Sequence, residues 1–434
     1  MFKKNSRIKK ILSRRDLQIF LILLFVYTIN LKVIGTDVHA NEYVSISIIK
    51  ELDFDLDEYV SYIEYFKTVQ EGKNHLVSMT SIGNSILAVP IYFFPVVFFD
   101  ISYNPQVVSY LGKLTATIYV ALSAVFIYYS LKRLTKEKYA LYITLIYAFA
   151  TGSWSISSQA LWTHGPIQFL LAISIYFLVL GLKNEKYVAY SGFPLATTIL
   201  CKETNFLILV VIGIYVLHKY KKQFIKFALF TLPSLAFLFF YNYYYFGSAL
   251  TFTYHYYYLS PEMVSNPFLN GFFGLLISPS RGLFVYSPIL IFALYGVYDA
   301  WKKRKILFCY FTIAILVIIS LYANLRIWYA GHSWGPRYMY DILPFFSILL
   351  LPGFEKAMKK KNLKYIFILL LIFSVFVQLE GILFFNGEWH TKYDIGAKDQ
   401  SWLWSINNTQ IMYYLKNPHL ENLIYFDWAL SKIF

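Results

Sequence analysis

Long apolar stretches alternate with short polar ones along most of the chain. They fall at 17–35, 107–131, 139–153, 164–182, 187–201, 204–217, 224–246, 284–300, 306–323, 338–353 and 364–385. A bilayer core roughly 30 Å thick takes about 20 helical residues to cross. Inside it the backbone must satisfy its own hydrogen bonds, which an α-helix does. The pattern predicts an all-α polytopic membrane protein, a bundle of about 11 transmembrane helices.

The polar positions orient the bundle. Basic clusters lie at the N-terminus and at 132–138, 183–186, 219–226, 302–305 and 356–364, between alternate pairs of apolar runs. They hold most of the 39 Lys and Arg residues and few of the 24 acids. Positive charge stays on the cytoplasmic side, so the N-terminus is expected inside and the C-terminus outside. Residues 82–99 (IGNSILAVPIYFFPVVFF) are apolar enough to span, yet a span there would turn every later cluster outward. Pro90 and Pro95 also remove backbone donors within the run. It is expected to be a helical segment dipping into the outer interface.

Composition agrees with this picture: of 434 residues, 58% are hydrophobic and only 15% charged. The net charge of +15 is then a topology signal and a contact for anionic lipid headgroups, not a nucleic-acid footprint. Cys201 and Cys309 both lie in apolar segments, so neither a disulfide framework nor a zinc site is available. The basic start MFKKNSRIKKILSRR has the form of a signal peptide, with Val38-His39-Ala40 as a weak cleavage site. The length of the apolar run and the bulky residues before that site favour an uncleaved first span. The division expected is a transmembrane domain over 1–385, including a first extracytoplasmic loop at 36–106, and an outer tail at 386–434 that caps it. There is no internal repeat, P-loop or GxGxxG. Chemistry is expected outside, where nucleotide donors are absent, which favours a substrate carried by lipid.

Several residues on the outer side could do chemistry. Asp37 follows the first apolar run in GTDVHANEYV; a carboxylate fixed at a helix end can act as a general base. The alternative is that Thr36 or Asp37 caps a helix over 38–51. Glu42 lies a turn and a half further on. Asp53, Asp55 and Asp57 alternate, a pattern open to a hard cation but equally a solvated turn. Residues 59–69 (YVSYIEYFKTV) have the spacing of an interfacial helix. Arg281 stands between Pro279 and Gly282, and Arg337 follows Gly335-Pro336. Guanidinium groups offer paired donors to phosphate, while snorkelling to ordinary lipid headgroups and an Arg337–Asp341 pair one turn apart are the plainer readings. His332 and His164 could add donors. Lys113 and the Lys202–Glu203 pair are ionisable groups at or within the membrane boundary, and such groups are functional candidates.

These stretches together resemble the GT-C superfamily, polytopic glycosyltransferases that use polyprenyl-phosphate-linked sugars, akin to protein O-mannosyltransferases and the lipid A aminoarabinose transferase. The resemblance rests on Asp37, LDFDLDEY, SIGNSILAVPIYF, ALWTHGP, FGSALTFTYHY, LLISPSRGLFVYSPIL, WGPRYMYDILP and SWLWSINNTQIMYYL. It covers roughly 30–385, with SWLWSINNTQIMYYL a further similar stretch near the end, and points to bacterial members. It implies a GT-C-like bundle with juxtamembrane helices in the first outer loop, and an inverting, metal-independent transfer at the outer face of the cytoplasmic membrane. Asp37 matches the superfamily's base, Lys113 a basic residue at the second span, and Arg281 and Arg337 the cations that hold the lipid phosphate. The acidic pair of the mannosyltransferases is here Asp37-Val38, leaving Glu42 as the only nearby substitute for the second acid. A lipid-linked sugar donor, an acceptor glycan, glycolipid or protein, and membrane lipids are the partners implied, with no cofactor and no nucleic acid. Two other classes remain open: an O-antigen polymerase or ligase, and a transporter of lipid-linked sugars that makes and breaks no bond.

Overall fold

The computed structural model describes residues 14–30, 37–62, 69–99, 101–251, 262–393 and 400–418. Among them are 18 α-helices and one two-stranded antiparallel hairpin, Val69–Glu71 with Leu76–Ser78. Five helices are long and apolar enough to cross a membrane: Pro105–Leu134, His164–Gly181, Lys221–Phe246, Ile306–Ala323 and Lys361–Phe384.

The count of eleven spans is therefore corrected. The other apolar runs do fold as helices, but short ones. Arg15–Thr28 and Phe206–Lys219 have 14 residues and Glu137–Phe149 has 13, about 20 Å at 1.5 Å per residue. The run at 187–201 divides at Ser191 into Lys186–Tyr190 and Gly192–Cys201. The run at 284–300 breaks at Ser287-Pro288, leaving Leu283–Tyr286 and Ile291–Lys302. Leu343–Lys359 has 17 residues and starts after Asp341. Apolarity summed over a window does not register such breaks, where proline or a buried charge ends the helical hydrogen-bond ladder.

The long Pro105–Leu134 helix begins at Pro105, pre-set for a first turn, behind Asn104, whose side chain accepts from the Val107 N–H at 3.2 Å. It is the centre of the bundle, packed against His164–Gly181 on one side and Arg15–Thr28 on another. Ile291–Lys302 pairs with Leu343–Lys359 through two glycines. A Cβ on Gly296 would sit 1.8 Å from the Leu349 carbonyl oxygen, and one on Gly353 2.1 Å from that of Phe292. Small residues let helix backbones approach this closely.

A second, smaller core lies under the first loop. It gathers Tyr43, Val44 and Ile46 with Ala88, Tyr92 and Val96, and reaches Tyr241 and Tyr245. The helix predicted over 38–51 is present as His39–Lys50, and that predicted in 82–99 as Gly83–Phe99, with both prolines inside it. Its outward face is Phe93, Phe94, Val97, Phe98 and Phe99, all exposed. The helix predicted at 59–69 falls mostly outside the described residues, and its described ends are not α-helical. A 3-10 turn covers Asp57–Tyr62 and a strand starts at Val69, while 63–68 lie outside the described residues. Here the acids of the preceding turn bind the hairpin instead: Asp57 accepts from the Leu76 N–H at 2.7 Å and contacts His75 at 2.8 Å.

The described part of the tail packs over the 331–335 loop. The Gln410 side-chain amide donates to the Ser333 carbonyl (2.9 Å) and its oxygen accepts from the Gly335 N–H (3.1 Å). Residues 394–399 and 419–434 lie outside the described set.

Candidate functional site

Asp37 does not cap the helix that follows it: that N-terminus, at Val38, has no side-chain cap. Its carboxylate turns instead toward two residues distant in sequence. One oxygen accepts from the Trp162 indole N–H at 2.7 Å, and the other meets the Arg337 guanidinium at 2.9 Å. Arg337 also lies over the Trp162 ring, 5.7 Å from its centre. Burial works against the ionised carboxyl, but Arg337 and the indole N–H outweigh it and hold Asp37 below the usual carboxylate range. The Asp37 side chain keeps 39% of its surface open.

It opens onto a small cleft of about 60 Å³ whose walls include Asn41, Thr80, Trp162, His164, Lys202 and Glu203. Two of these, His164 and Lys202, belong to a second charged group centred on Asp341. Asp341, 2% exposed, takes His164 Nδ1 on one oxygen at 2.6 Å and Lys202 Nζ on the other at 2.8 Å. The ammonium of Lys202 also faces the rings of Tyr322 and Tyr338, 4.9 and 5.4 Å away. Burial alone would raise the Asp341 pKa; Lys202 and His164 bring it down to about 2. Asp341 keeps Lys202 protonated in turn, raising its pKa although burial opposes the charge. Lys202 thus pairs with Asp341 and not, as its sequence neighbour suggested, with Glu203; Arg337 pairs with Asp37 and not with Asp341.

Local backbone explains why these side chains converge. Lys202 stands just past the end of Gly192–Cys201 in extended conformation. That helix end abuts Gly83, where a Cβ would lie 2.5 Å from the Leu200 carbonyl carbon. His164 opens its helix after a π-helical turn over Ser153–Ser157. Gln168, one turn further on, donates to Ser157 Oγ (2.9 Å) and to the Tyr340 carbonyl (2.7 Å). This fixes the two strands of chain that carry His164 and Asp341 side by side.

Arg281 is placed differently from what the sequence suggested. It is wholly buried and does not line the cleft. One terminal nitrogen donates to the carbonyls of Ser333 (2.5 Å) and Gly335 (2.9 Å), the other to the Gly331 carbonyl (2.8 Å) and His390 Nε2 (2.7 Å). Ala330, Gly331 and Gly335 adopt left-handed backbone, which curls these carbonyls inward around the guanidinium. Burial and the neighbouring cation keep His390 neutral, its pKa pushed far down, so its Nε2 can accept. A guanidinium removed from water needs acceptors, and the loop supplies them. Arg281 therefore shapes the loop whose Ala330 carbonyl accepts from Arg337 at 3.3 Å.

The remaining candidates stand apart. His332 is exposed and stacks on His390, ring centres 4.8 Å apart. Glu42 is fully buried, held by His39 and Ser109 at 3.0 Å each. Lys113, also buried, donates to the Asn30 carbonyl. None of the three lines the cleft. Trp162 and Asp341 were missed as site residues. Both carried a signal: a tryptophan inside ALWTHGP, and a lone acid in the apolar run at 338–353.

No protein-family model matches the chain, and no curated protein matches it.

Proposed function

We propose that the chain is an inverting glycosyltransferase that moves a sugar from a polyprenyl-phosphate carrier to an acceptor on the lysine-poor side of the membrane. The observation that carries this reading is the Asp37–Arg337 contact of 2.9 Å in a cleft that Lys202 also lines. One base and a cationic rim are what such a transfer needs.

The carrier's phosphate would exchange with Asp37 for the Arg337 guanidinium, a planar fork suited to phosphate oxygens. Losing its cationic partner raises the basicity of Asp37 at the moment the donor arrives. The acceptor hydroxyl gives its proton to Asp37 as its oxygen attacks the anomeric carbon. The bond from that carbon to the phosphate oxygen breaks on the opposite face, and the electron pair leaves with the phosphate. Arg337 and Lys202 stabilise the negative charge building there. The phosphate is a good leaving group, so no second, protonating carboxyl is required, in contrast to glycosidases. The cleft of about 60 Å³ is smaller than the roughly 300 Å³ from which ligand pockets start, so donor binding must part Asp37 from Arg337.

The test is sugar transfer from a labelled polyprenyl-phosphate donor by Asp37→Asn, alongside donor retention seen by native mass spectrometry. Transfer should fall by about 10²–10⁴-fold, the usual worth of a general base, with donor retained. Undiminished transfer by this variant would sink the proposal and favour a polymerase-like mechanism. Donor carried across the membrane without any bond made would favour a transporter.

A further inference from the structure

At the end of the bundle remote from Asp37 lies a larger cavity, about 460 Å³, within the usual range for ligand pockets. His164–Gly181, Phe206–Lys219 and Leu343–Lys359 all start near the Asp37 cleft and end at this cavity. The first of these, 18 residues long, sets a separation of about 27 Å. Here Leu134, Leu182, Lys219, Lys305 and Glu355 come together, each in or next to a different basic cluster of the sequence. The floor is Tyr215, Leu307, Phe308 and Leu351; the rim is Lys219, Arg304 and Lys305.

Two of the three rim charges are not used up by the protein. Lys305 is held by Asp299 at 2.8 Å, and the one acid in the lining, Glu355, accepts from the Thr135 hydroxyl at 2.8 Å. Lys219 and Arg304 are exposed and, among the described residues, have no acidic partner. Arg304 also has a φ of 51°, at a helix end where glycine normally takes the left-handed position. Arg304 thus places a long cation on the cavity rim in a conformation that glycine takes without strain.

We infer that this cavity binds the phosphate-bearing headgroup of an anionic membrane lipid, its phosphate on Lys219 and Arg304 and its first carbons along Tyr215, Leu307 and Phe308. The apolar floor distinguishes a lipid from free phosphate, which would gain nothing from it. Basic pockets between helices on the lysine-rich face are a general way of holding such headgroups. The inference is independent of the chemistry at Asp37.

The experiment is titration of the detergent-purified full chain with phosphatidylglycerol, read by native mass spectrometry, with phosphatidylcholine and inorganic phosphate as separate arms. The variant Arg304→Gly with Lys219→Gln removes both cations, and glycine suits the backbone at 304, so the fold is retained. Lys186→Gln, an exposed lysine on the same end outside the lining, serves as control. Phosphatidylglycerol should bind the native chain and the control alike and the double variant about 30-fold more weakly, as two lost surface cations imply; phosphatidylcholine should bind weakly and inorganic phosphate should not compete. Equal phosphatidylglycerol affinity in the native chain and the double variant would overturn the site. Full displacement by inorganic phosphate would overturn the lipid as its occupant.

Discussion

The Asp37 carboxylate and the Arg337 guanidinium meet at 2.9 Å although 300 residues separate them. Arg337 and the Trp162 N–H hold the Asp37 pKa below its ordinary value, so the group stays ionised, and able to act as a base, until the pH falls below the usual carboxylate range. Whatever stability this contact lends is likewise present above the unfolded-state value, roughly 3.9, and lost as the pH drops through the lower folded value. In Arg337→Gln the strongest opposition to burial is lost, so the acid limb of kcat/KM for the proposed transfer should move to higher pH. An unmoved limb in a pH–rate profile would show that Asp37 is not the titrating group. At Asp341 the stakes are structural. Asp341→Asn leaves the Lys202 ammonium buried without a counter-charge, and breaking such a pair costs about 3–5 kcal/mol. Thermal unfolding in detergent should register that loss, and Asp341→Leu with Lys202→Met should recover most of it, because removing both charges removes the desolvation penalty.

Helices set where these side chains start, and close packing between helices sets where they finish. Gly296 and Gly353 each face a carbonyl of the other's helix, at 1.8 and 2.1 Å from an added Cβ. Gly353→Leu should therefore push Ile291–Lys302 away from Leu343–Lys359, lowering the unfolding temperature by the equivalent of roughly 1–3 kcal/mol of overpacking. Leu343–Lys359 starts two residues after Asp341, so the same variant should also weaken the proposed sugar transfer; a stable variant with full transfer would show that the helix tolerates displacement. The existence of these helices was legible from apolarity. Their ends were not, because 187–201 and 284–300 read as continuous runs while Ser191 and Ser287-Pro288 divide them.

Over the whole molecule, two chemically different ends are joined by the same helices: an acid–arginine cleft at one, a basic cavity at the other. With the native cysteines replaced by serine, single cysteines at exposed Lys186 and Lys416 should react with a membrane-impermeant maleimide from opposite sides of sealed vesicles. Labelling of both from one side would overturn the orientation read from the lysine clusters. The candidate site was partly legible: Asp37, Arg337, His164 and Lys202 were all singled out, and all line one cleft. Arg281 looked equivalent to Arg337 in sequence, yet the tertiary structure surrounds it with loop carbonyls. What the sequence determined by itself was an all-helical, highly apolar chain with its positive charge gathered in a few loops, since helix formation and charge placement depend on near neighbours. Only the tertiary structure decided which helices are long enough to span and which charge meets which. The Lys202–Asp341 and Asp37–Arg337 pairs join residues 139 and 300 positions apart; packing brings them together, and no local periodicity encodes it.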